Sequence, residues 1–371
     1  MPYFNMGGFV TQQDIANALG ISLITVHRAL NGSGYVSQKL KARILAHARE
    51  VTYVPHKASQ ILKRNRIRKV AVFSSTLPRY FWNDIRKGIT IGAEQVQPFN
   101  YQVSYHMIPE RNSRLYLARL GAALADGLEA VAFVNQWIYD MKSIISSVDR
   151  AGIPYLTLNI DAPDSHRLCY IGPDYRAGGR LAAEYIGKAL LFKKDPRVLV
   201  VTAPAEGNAK SRAPDINALR YEGFLTVLQK HFSRIRHEVG YVTTEMRSKE
   251  VESQIRGLLT SKKGHVDAIY LIAAYNAQFI QALEKTPRAR TFLVLHDLDP
   301  SSNHYLEKNP LTAVICQNPI LQGYYTVKIL ENMLESGHPP DIRQINIVHS
   351  IIMNENKDLY RNHYFFTKMI D

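Results

Sequence analysis

Short apolar runs alternate with amphipathic segments along the chain from residue 69 onward. The segments between the runs mostly carry apolar positions at helical spacing over about 10–18 residues. Ten runs rich in β-branched and aromatic residues are predicted as strands: VAVFSS, YQVSYHMI, AVAFVNQ, PYLTLNID, LCYIG, RVLVVTAP, EVGYV, AIYLIAA, TFLVLHD and TAVICQN. Strands that alternate with helices are typical of parallel sheets. The pattern therefore predicts an α/β body of two doubly wound, Rossmann-like parallel-sheet subdomains.

The first 50 residues follow a different pattern, with apolar positions three or four residues apart. Thr11 is predicted to cap a first helix, and Asp14 three residues later completes a capping box. A turn at Gly20 precedes Ser22, which is predicted to cap a second helix, and a third helix spans about 37–50. Three short helices with a tight turn between the first two predict a small all-α helix-turn-helix domain.

The second predicted helix has two contrasting faces at about 100° per residue. The face predicted to pack inward carries Thr25, Val26, Ala29 and Leu30. The opposite face carries Leu23, Ile24, His27 and Arg28. Apolar side chains on an outward face suit thymine methyl groups, and His and Arg suit base edges and phosphates. The alternative is that Leu23 or Ile24 packs against another helix.

Charge is distributed unevenly along the 371 residues. The whole chain carries a net charge of +14, and the first 70 residues hold eleven Lys or Arg against two acidic residues, which gives them +9. A basic module on a less charged body is typical of a protein that contacts the phosphate backbone. Charge alone also fits a merely solvated basic surface.

Several classes of protein are disfavoured by the sequence. We find no run of about 18 apolar residues that would form a transmembrane helix, and no secretory signal at the start. Cys169 and Cys316 lie in apolar runs, so we expect two buried free thiols and a reducing compartment. Phosphate-binding glycine loops, hydrolase motifs and zinc-ligand spacings are not found, so no catalytic residue, metal or cofactor is predicted.

The stretch from residue 11 to 62 resembles the DNA-binding head of the LacI/GalR family of bacterial transcription regulators. The family pattern is matched by Thr11, Asp14, Ile15, Ala16, Gly20, Ile21, Ser22, Thr25, Val26, Arg28, Leu30, Asn31, Val36, Ser37, Tyr53 and Pro55. The resemblance implies DNA contacts by Thr11, Ser22, Leu23, Ile24, Thr25, His27, Arg28, Asn31 and Tyr53. The chain departs from the family where His27 replaces a common Ser, so no operator sequence can be carried over.

A basic segment, HKASQILKRNRIRK, follows Pro55. It resembles the family's hinge helix, which folds on operator DNA and pushes a leucine pair into the minor groove. Leu62 stands at the matching leucine position, Ala58 at a common apolar position, and Lys57 near the expected phosphates. Such a wedge gains a bent and wider groove at the cost of base unstacking. The alternative is a plain basic linker that is disordered without DNA.

Ligands of open α/β sheets bind beyond the carboxyl ends of the strands. Polar residues at those ends are Ser75, Asn135, Asn159, Asp161, Asn276, Asp297 and Gln317. Hydroxyl, amide and carboxylate groups suit a polyhydroxylated ligand. A resemblance to ribose-type sugar-binding proteins adds Phe81 and Trp82 as stacking aromatics and Arg220 as a hydroxyl-binding group. The alternatives are helix-capping roles for the three Asn residues and a core position for Trp82.

We therefore expect a cytoplasmic, nucleoid-associated homodimer that binds double-stranded, pseudo-palindromic operator DNA and no membrane. A sugar-like effector between the subdomains would control operator affinity, and the chain would regulate, as a repressor, genes of sugar metabolism. The alternative is a non-transcriptional sugar receptor or an enzyme on the same body. The expected boundaries are residues 10–55 for the DNA-binding domain, 56–67 for the hinge, 68–172 with 318–343 for the first subdomain, and 173–317 with 344–371 for the second.

Overall fold

The computed structural model describes residues 10–31, 35–51, 53, 66–204, 213–242, 248–261, 266–272, 276–286 and 291–361. The chain divides into two compact units, Met1–Arg66 and Ile67–Asp371. The predictions for Lys57, Ala58, Leu62 and the side chain of Asn31 lie outside the described residues.

The first unit contains the three predicted helices, α1 (Gln12–Leu19), α2 (Leu23–Asn31) and α3 (Gln38–Glu50). The predicted capping box is confirmed, because the Asp14 amide donates to Thr11 Oγ1 at 3.2 Å and the Thr11 amide donates to the Asp14 carboxylate at 2.7 Å. Gly20 ends α1 at a φ of 65°, a left-handed conformation that glycine adopts without strain. Ile15, Val26 and Ile44 are fully buried between the helices.

The first sheet of the body has six described strands and lies in the order β11-β5-β4-β3-β1-β2. Their ranges are β1 Arg68–Ser75, β2 Tyr101–Ile108, β3 Leu128–Phe133, β4 Tyr155–Leu158, β5 Cys169–Gly172 and β11 Gln344–Asn346. All of these pairings are parallel. The helices of this first subdomain are α4 (Arg79–Val96), α5 (Ser113–Ala125), α6 (Met141–Ala151) and α12 (Pro319–Ser336), with a 3-10 turn at Gln97–Phe99.

The second sheet also has six described strands, in the order β12-β10-β9-β8-β6-β7. Their ranges are β6 Arg197–Thr202, β7 Arg236–Tyr241, β8 Ala268–Leu271, β9 Phe292–His296, β10 Thr312–Cys316 and β12 Ser350–Ile352. The pairings are parallel except that of β12 with β10. The helices are α7 (Tyr175–Ala189), α8 (Ile216–His231), α9 (Ser248–Ser261), α10 (Asn276–Glu284), α11 (Pro300–Lys308) and α13 (Lys357–Arg361), with a 3-10 turn at Asn354–Asn356. All ten predicted strands are present.

The chain passes from one sheet to the other after β5, after β10, and between β11 and β12. The third passage lies later than the expected boundary at residue 344. Gln344–Asn346 pairs in parallel with β5, and its central Ile345 packs against the core of the first subdomain. Pairing with β5 and the packing of the partly buried Ile345 side chain together hold the short strand on the first sheet.

Both faces of the sheets are covered, as expected for parallel strands between helices. Along β1, Val70 and Val72 belong to one core cluster, whereas Ala71 and Phe73 belong to another on the opposite face. Cys169 and Cys316 are buried and unpaired with each other, which confirms the expected free thiols. Within the described residues, no helix is both long and apolar enough to cross a membrane.

Candidate functional site

The outward face of α2 exposes two large apolar side chains beside a cation. Leu23 is 43% exposed and Ile24 62%, and Arg28 on the same face is also exposed. Val26 and Ala29 on the other face are buried. The alternative in which Leu23 or Ile24 packs against a neighbouring helix is therefore excluded for this unit. The face offers apolar contacts and a guanidinium to a partner.

Polar contacts fix the start and the orientation of α2. The Thr25 amide donates to Ser22 Oγ at 3.2 Å, and the two hydroxyl groups lie 2.8 Å apart. His27 Nδ1 lies 3.2 Å from Gln12 Oε1 of α1, so the imidazole is oriented by the neighbouring helix. Tyr53 lies beyond α3, where its amide donates to the Ala48 carbonyl at 2.8 Å and its ring packs against the helical core.

In the body, five predicted residues meet where the two subdomains adjoin: Asn159, Arg220, Asn276, Asp297 and Gln317. Gln317 Nε2 donates to both Asp297 carboxylate oxygens, at 3.0 and 3.1 Å. Arg220 Nη2 lies 3.8 Å from Asp297 Oδ2. Asn159 Nδ2 donates to Gln317 Oε1 at 3.0 Å, which links a residue after β4 to one after β10. We call these five residues the cleft cluster.

The backbone turns sharply at two members of the cleft cluster. Asn159 and Asp297 have φ values of 63° and 64°, a left-handed conformation that short polar side chains tolerate best after glycine. Each of the two residues directly follows the last residue of a strand, so the turn directs the chain out of the sheet. Gln322 on α12 completes the arrangement, because its Oε1 also accepts from Asn159 Nδ2 at 3.0 Å.

Of the two charged groups of the cleft cluster, Arg220 is buried and Asp297 is largely buried. Burial raises the pKa of Asp297, and Arg220 and Gln317 oppose that shift by stabilising the carboxylate. Burial, followed by the charge of Arg220, lowers the pKa of His296 well below its usual value and that of His349 to about 4. At neutral pH both imidazoles are therefore uncharged. The Tyr270 hydroxyl oxygen lies 2.8 Å from His296 Nε2.

Two atoms of the cleft cluster are buried without a hydrogen-bond partner among the described residues. They are Arg220 Nε, a donor, and Asn276 Oδ1, an acceptor. The Asn276 amide nitrogen, by contrast, donates to the His296 and Asp297 carbonyls at 3.0 Å. A buried polar group without a partner costs about 1–3 kcal/mol. A ligand that both donates and accepts hydrogen bonds would satisfy both atoms.

Three other predicted site residues bond within the first subdomain instead. Ser75 Oγ donates to Glu110 Oε1 at 2.6 Å, and Asn135 Nδ2 donates to the Asp161 carbonyl at 2.8 Å. The Asp161 carboxylate is held by Arg167, with Nη2 at 2.6 Å from Oδ2. These partners satisfy the three side chains locally, so the structure does not bring them into the cleft cluster.

The two aromatic residues predicted to stack on a ligand are buried in the first subdomain. Trp82 Nε1 donates to the Leu77 carbonyl at 2.7 Å, and the Trp82 and Phe81 rings meet edge to face at 5.1 Å. Trp82 therefore occupies the core position that was its alternative. The sequence interpretation missed Tyr80, whose pKa is raised by burial and by the nearby charges of Asp297 and Asp299. The sequence feature that could have indicated Tyr80 is its position in the first turn of α4, the helix that follows β1.

The described residues contain no group of three or more His, Cys, Asp or Glu side chains that could hold a metal ion. The arrangement can instead bind a small polar molecule through amides, a carboxylate and a guanidinium. These groups accept and donate hydrogen bonds over a short distance, as recognition of adjacent hydroxyl groups requires.

Known sequences match both units of the chain. The family described as "Periplasmic binding protein domain" matches residues 70–338, and "Bacterial regulatory proteins, lacI family" matches residues 11–56. The sucrose operon repressor of Lactococcus lactis subsp. lactis is 24% identical over 59% of this chain and 62% of that protein. The repressor CytR of Escherichia coli (strain K12) is 35% identical over 22% of this chain and 24% of that protein. The chain spans 51–63% of the length of the first four curated relatives that it matches.

Solved structures resemble the body. GanP, a glucose-galactose binding protein from Geobacillus stearothermophilus, superposes with a TM-score of 0.62 at 21% identity, over 79% of this chain and 99% of that chain. AraP, an arabinose binding protein from the same organism, superposes with a TM-score of 0.65 at 17% identity, over 79% and 99%. At these identities the likeness establishes the fold of two α/β subdomains.

Proposed function

The chain belongs to the periplasmic binding protein domain family and carries a head of the lacI family of bacterial regulatory proteins, and from this premise we propose that it is a sequence-specific transcription regulator. In this proposal the head binds operator DNA, and a small sugar-like effector bound at the cleft cluster controls its affinity. The regulated genes are those of carbohydrate metabolism, and the chain acts as a repressor on bacterial chromosomal DNA.

One observation carries the proposal for DNA binding. Leu23 and Ile24 leave large apolar surfaces in water on a helix that otherwise buries its apolar residues. Exposed apolar groups beside Arg28 are expected where a helix enters the major groove, because thymine methyls and base-edge acceptors lie side by side there. Of the other predicted contacts, His27 lies on the same face, Ser22 and Thr25 lie at the start of this helix, and Thr11 caps the neighbouring α1.

The proposal for effector binding rests on the cleft cluster. Arg220 and Asn276 each keep one buried polar atom without a partner, and Asp297 presents a carboxylate beside them. A sugar hydroxyl can donate to one group and accept from another, so a polyol satisfies both kinds of atom at once. The names of the relatives, which include a sucrose operon repressor, point to the same ligand class.

A role without catalysis belongs to the same proposal. None of the five residues of the cleft cluster is a serine, a cysteine or a histidine, so the cluster itself offers no hydroxyl or thiol nucleophile paired with an imidazole base. A sugar receptor that does not regulate transcription would need no exposed apolar face on α2. We therefore favour the regulator over both alternatives.

The assembly we propose is a homodimer on a pseudo-palindromic operator. Two heads related by two-fold symmetry read two half-sites, so the symmetry of the DNA mirrors that of the protein. The hinge segment, which includes the predicted contacts of Lys57, Ala58 and Leu62, would join head to body. Closure of the body on its effector would then favour or disfavour the DNA-bound arrangement of the two heads.

The experiment that tests the proposal is selection of bound duplexes from a random-sequence pool by the full chain. We expect an enriched, approximately palindromic sequence for the wild type and its loss in a Leu23→Ala, Ile24→Ala double variant. Phe192→Ala, which removes an aromatic ring that is 96% exposed on the body, is the matched control and should enrich the same sequence. Equal enrichment by all three proteins, or none by the wild type, would contradict the proposal.

A further inference from the structure

The Asn159 carbonyl accepts hydrogen bonds from two tyrosines on opposite sides of a passage between the sheets. The Tyr170 hydroxyl, on β5 of the first subdomain, lies 2.6 Å from this oxygen. The Tyr175 hydroxyl, in the first turn of α7 of the second subdomain, lies 3.1 Å from it. Both tyrosines are buried. One acceptor is therefore shared between a bond within a subdomain and a bond between subdomains.

Tyr175 also contacts the cleft cluster through its ring. The guanidinium carbon of Arg220 lies 5.5 Å from the centre of the Tyr175 ring, which is within the range of a cation–π interaction. The same guanidinium faces Asp297. A movement of Arg220 toward a bound molecule therefore changes the surroundings of Tyr175, whose hydroxyl is anchored on the other subdomain.

A second route joins the same two places. Asp297 accepts from Gln317, and Gln317 accepts from the Asn159 side-chain amide at 3.0 Å. Asn159 is thus contacted from two directions. Its side chain is linked to Asp297 through Gln317, and its carbonyl is linked to Arg220 through Tyr175. The two routes form a closed ring of contacts between the cleft cluster and the first subdomain.

The local sequence places Tyr175 at this point. Asp174 caps α7 by accepting from the Ala177 amide at 3.1 Å, so the helix begins directly after the passage between sheets. Gly172 leaves the room that Tyr170 needs, because a Cβ there would lie 2.3 Å from the Tyr170 hydroxyl. Tyr170 and Tyr175 therefore converge on one carbonyl from two subdomains.

We propose that Tyr175 is a positioning residue that couples occupancy of the Arg220–Asp297 pair to the relative position of the two subdomains. This inference rests on the proposed function, since it takes that pair as the effector-binding group. Tyr175 acts through Arg220 and through Asn159, and it does not itself hold the effector. Loss of its hydroxyl should weaken the communication between ligand and operator while leaving the affinity for each nearly unchanged.

The test compares full-length Tyr175→Phe with Tyr170→Phe and the wild type. Tyr175→Phe removes the bond between subdomains and keeps the ring against Arg220. Tyr170→Phe removes a hydroxyl that lies 2.6 Å from the same carbonyl and 2.9 Å from the Pro173 carbonyl, and it leaves the Tyr175 bond in place. D-ribose, D-galactose, sucrose and D-galacturonate serve as probes in thermal unfolding. With a probe that stabilises the wild type, operator affinity is measured with and without it. We expect Tyr175→Phe to reduce the ratio of these two operator affinities about five-fold, which corresponds to one neutral hydrogen bond. Its affinity for the probe should stay within about two-fold of the wild-type value. Tyr170→Phe should keep the wild-type ratio.

A second measurement needs no probe. Amide hydrogen exchange over residues 317–322 is followed in the wild type, Tyr175→Phe, Asp297→Asn and the double variant. If the two routes form one ring, each single change should raise the exchange rate of these amides. The increase in the double variant should then be smaller than the product of the increases in the two single variants.

The outcomes separate the inference from the proposed function. A wild type that responds to none of the probes contradicts the effector part of the function for these four compounds, and the exchange measurement then decides the inference. A responding wild type and an equally responsive Tyr175→Phe would overturn the inference and leave the function standing. Multiplicative exchange effects in the double variant would overturn it as well.

Discussion

At the scale of single residues, two members of the cleft cluster, Arg220 and Asn276, each keep one buried polar atom without a partner among the described residues. Arg220→Ala should abolish the rise in Tm caused by an effector, because the donor that lacks a partner and the charge facing Asp297 are both lost. Basal operator binding should persist, since the head is a separate compact unit. Lys230→Ala, at an exposed position of the same helix, is the control and should respond like the wild type. A normal response of Arg220→Ala would place the effector elsewhere.

A second prediction at this scale concerns pH. Burial and the charge of Arg220 lower the pKa of His349 to about 4, below the usual 6.5 of an imidazole, and Asp174 opposes this shift. Between pH 6.5 and 4 the unfolded chain therefore binds a proton at this residue that the folded chain does not. The contribution is fully present above pH 6.5 and is lost as the pH falls toward 4, by about 2–3 kcal/mol after allowance for partial exposure.

The measurement is the free energy of unfolding in urea at pH 7 and pH 4.5. His349→Gln should lose less stability than the wild type between these values. His304→Gln, at an exposed position of α11, should lose as much as the wild type. Asp297 titrates with the opposite sign, because its raised pKa favours the folded state on acidification. The comparison between variants isolates His349, and equal pH slopes for the three proteins would contradict the prediction.

Only some of the predicted site residues lie together in the structure. Polar residues at strand ends predicted Asn159, Asp297 and Gln317, and hydrogen bonds link these three residues. The same signal failed for Asp161, because Arg167 six residues later pairs with it. Phe81 and Trp82 were expected from the resemblance to ribose-type sugar-binding proteins, and the structure buries both rings in the core of the first subdomain, whereas Tyr80 is only partly buried and feels the charge of Asp297. Such choices depend on partners distant in the chain.

At the scale of elements, α2 separates stability from recognition on its two faces. A Leu23→Ala, Ile24→Ala variant should keep the melting temperature of the head, since both side chains are exposed, and lose affinity for the selected operator. Val26→Ala should instead destabilise the head by about 2 kcal/mol, because its side chain is fully buried between the helices. Circular dichroism melting and operator titration distinguish the two effects. Equal loss of stability in both variants would mean that the outward face also packs in solution.

Elements with strong local signals could be predicted from the sequence, and short ones could not. The ten predicted strands and the capped helices of the head carry several agreeing residues each, such as Thr11 with Asp14. The strands β11 and β12 have three residues each. Three residues give too little alternation to indicate a strand, and β11 is held by pairing with β5 and by packing of the partly buried Ile345 against the core.

At the scale of the whole molecule, the chain joins a basic head to a two-subdomain body through a segment that lies outside the described residues. Charge and motif predicted a boundary within residues 56–67, and the two compact units of the structure are Met1–Arg66 and Ile67–Asp371. In the proposed function, the relation between effector and operator belongs to neither unit alone. It follows from linkage, since a ligand that favours one arrangement of the body must change operator affinity by the same factor as operator changes ligand affinity.

The last prediction tests that linkage at the hinge. Leu62→Ala removes the apolar side chain that we expect to enter the minor groove, so the base unstacking there is no longer offset. Operator affinity should fall by about ten-fold or more, because unstacking one base step costs about a few kcal/mol that the leucine no longer offsets. The affinity of the body for its effector should stay the same. Fluorescence anisotropy with operator DNA and thermal unfolding with the effector give the two affinities. Leu359→Ala, which truncates a leucine that is 75% exposed on the body, is the control. Wild-type operator affinity in Leu62→Ala would show that residues 56–67 serve only as a linker, and a parallel loss of effector affinity would show that this residue supports the body instead.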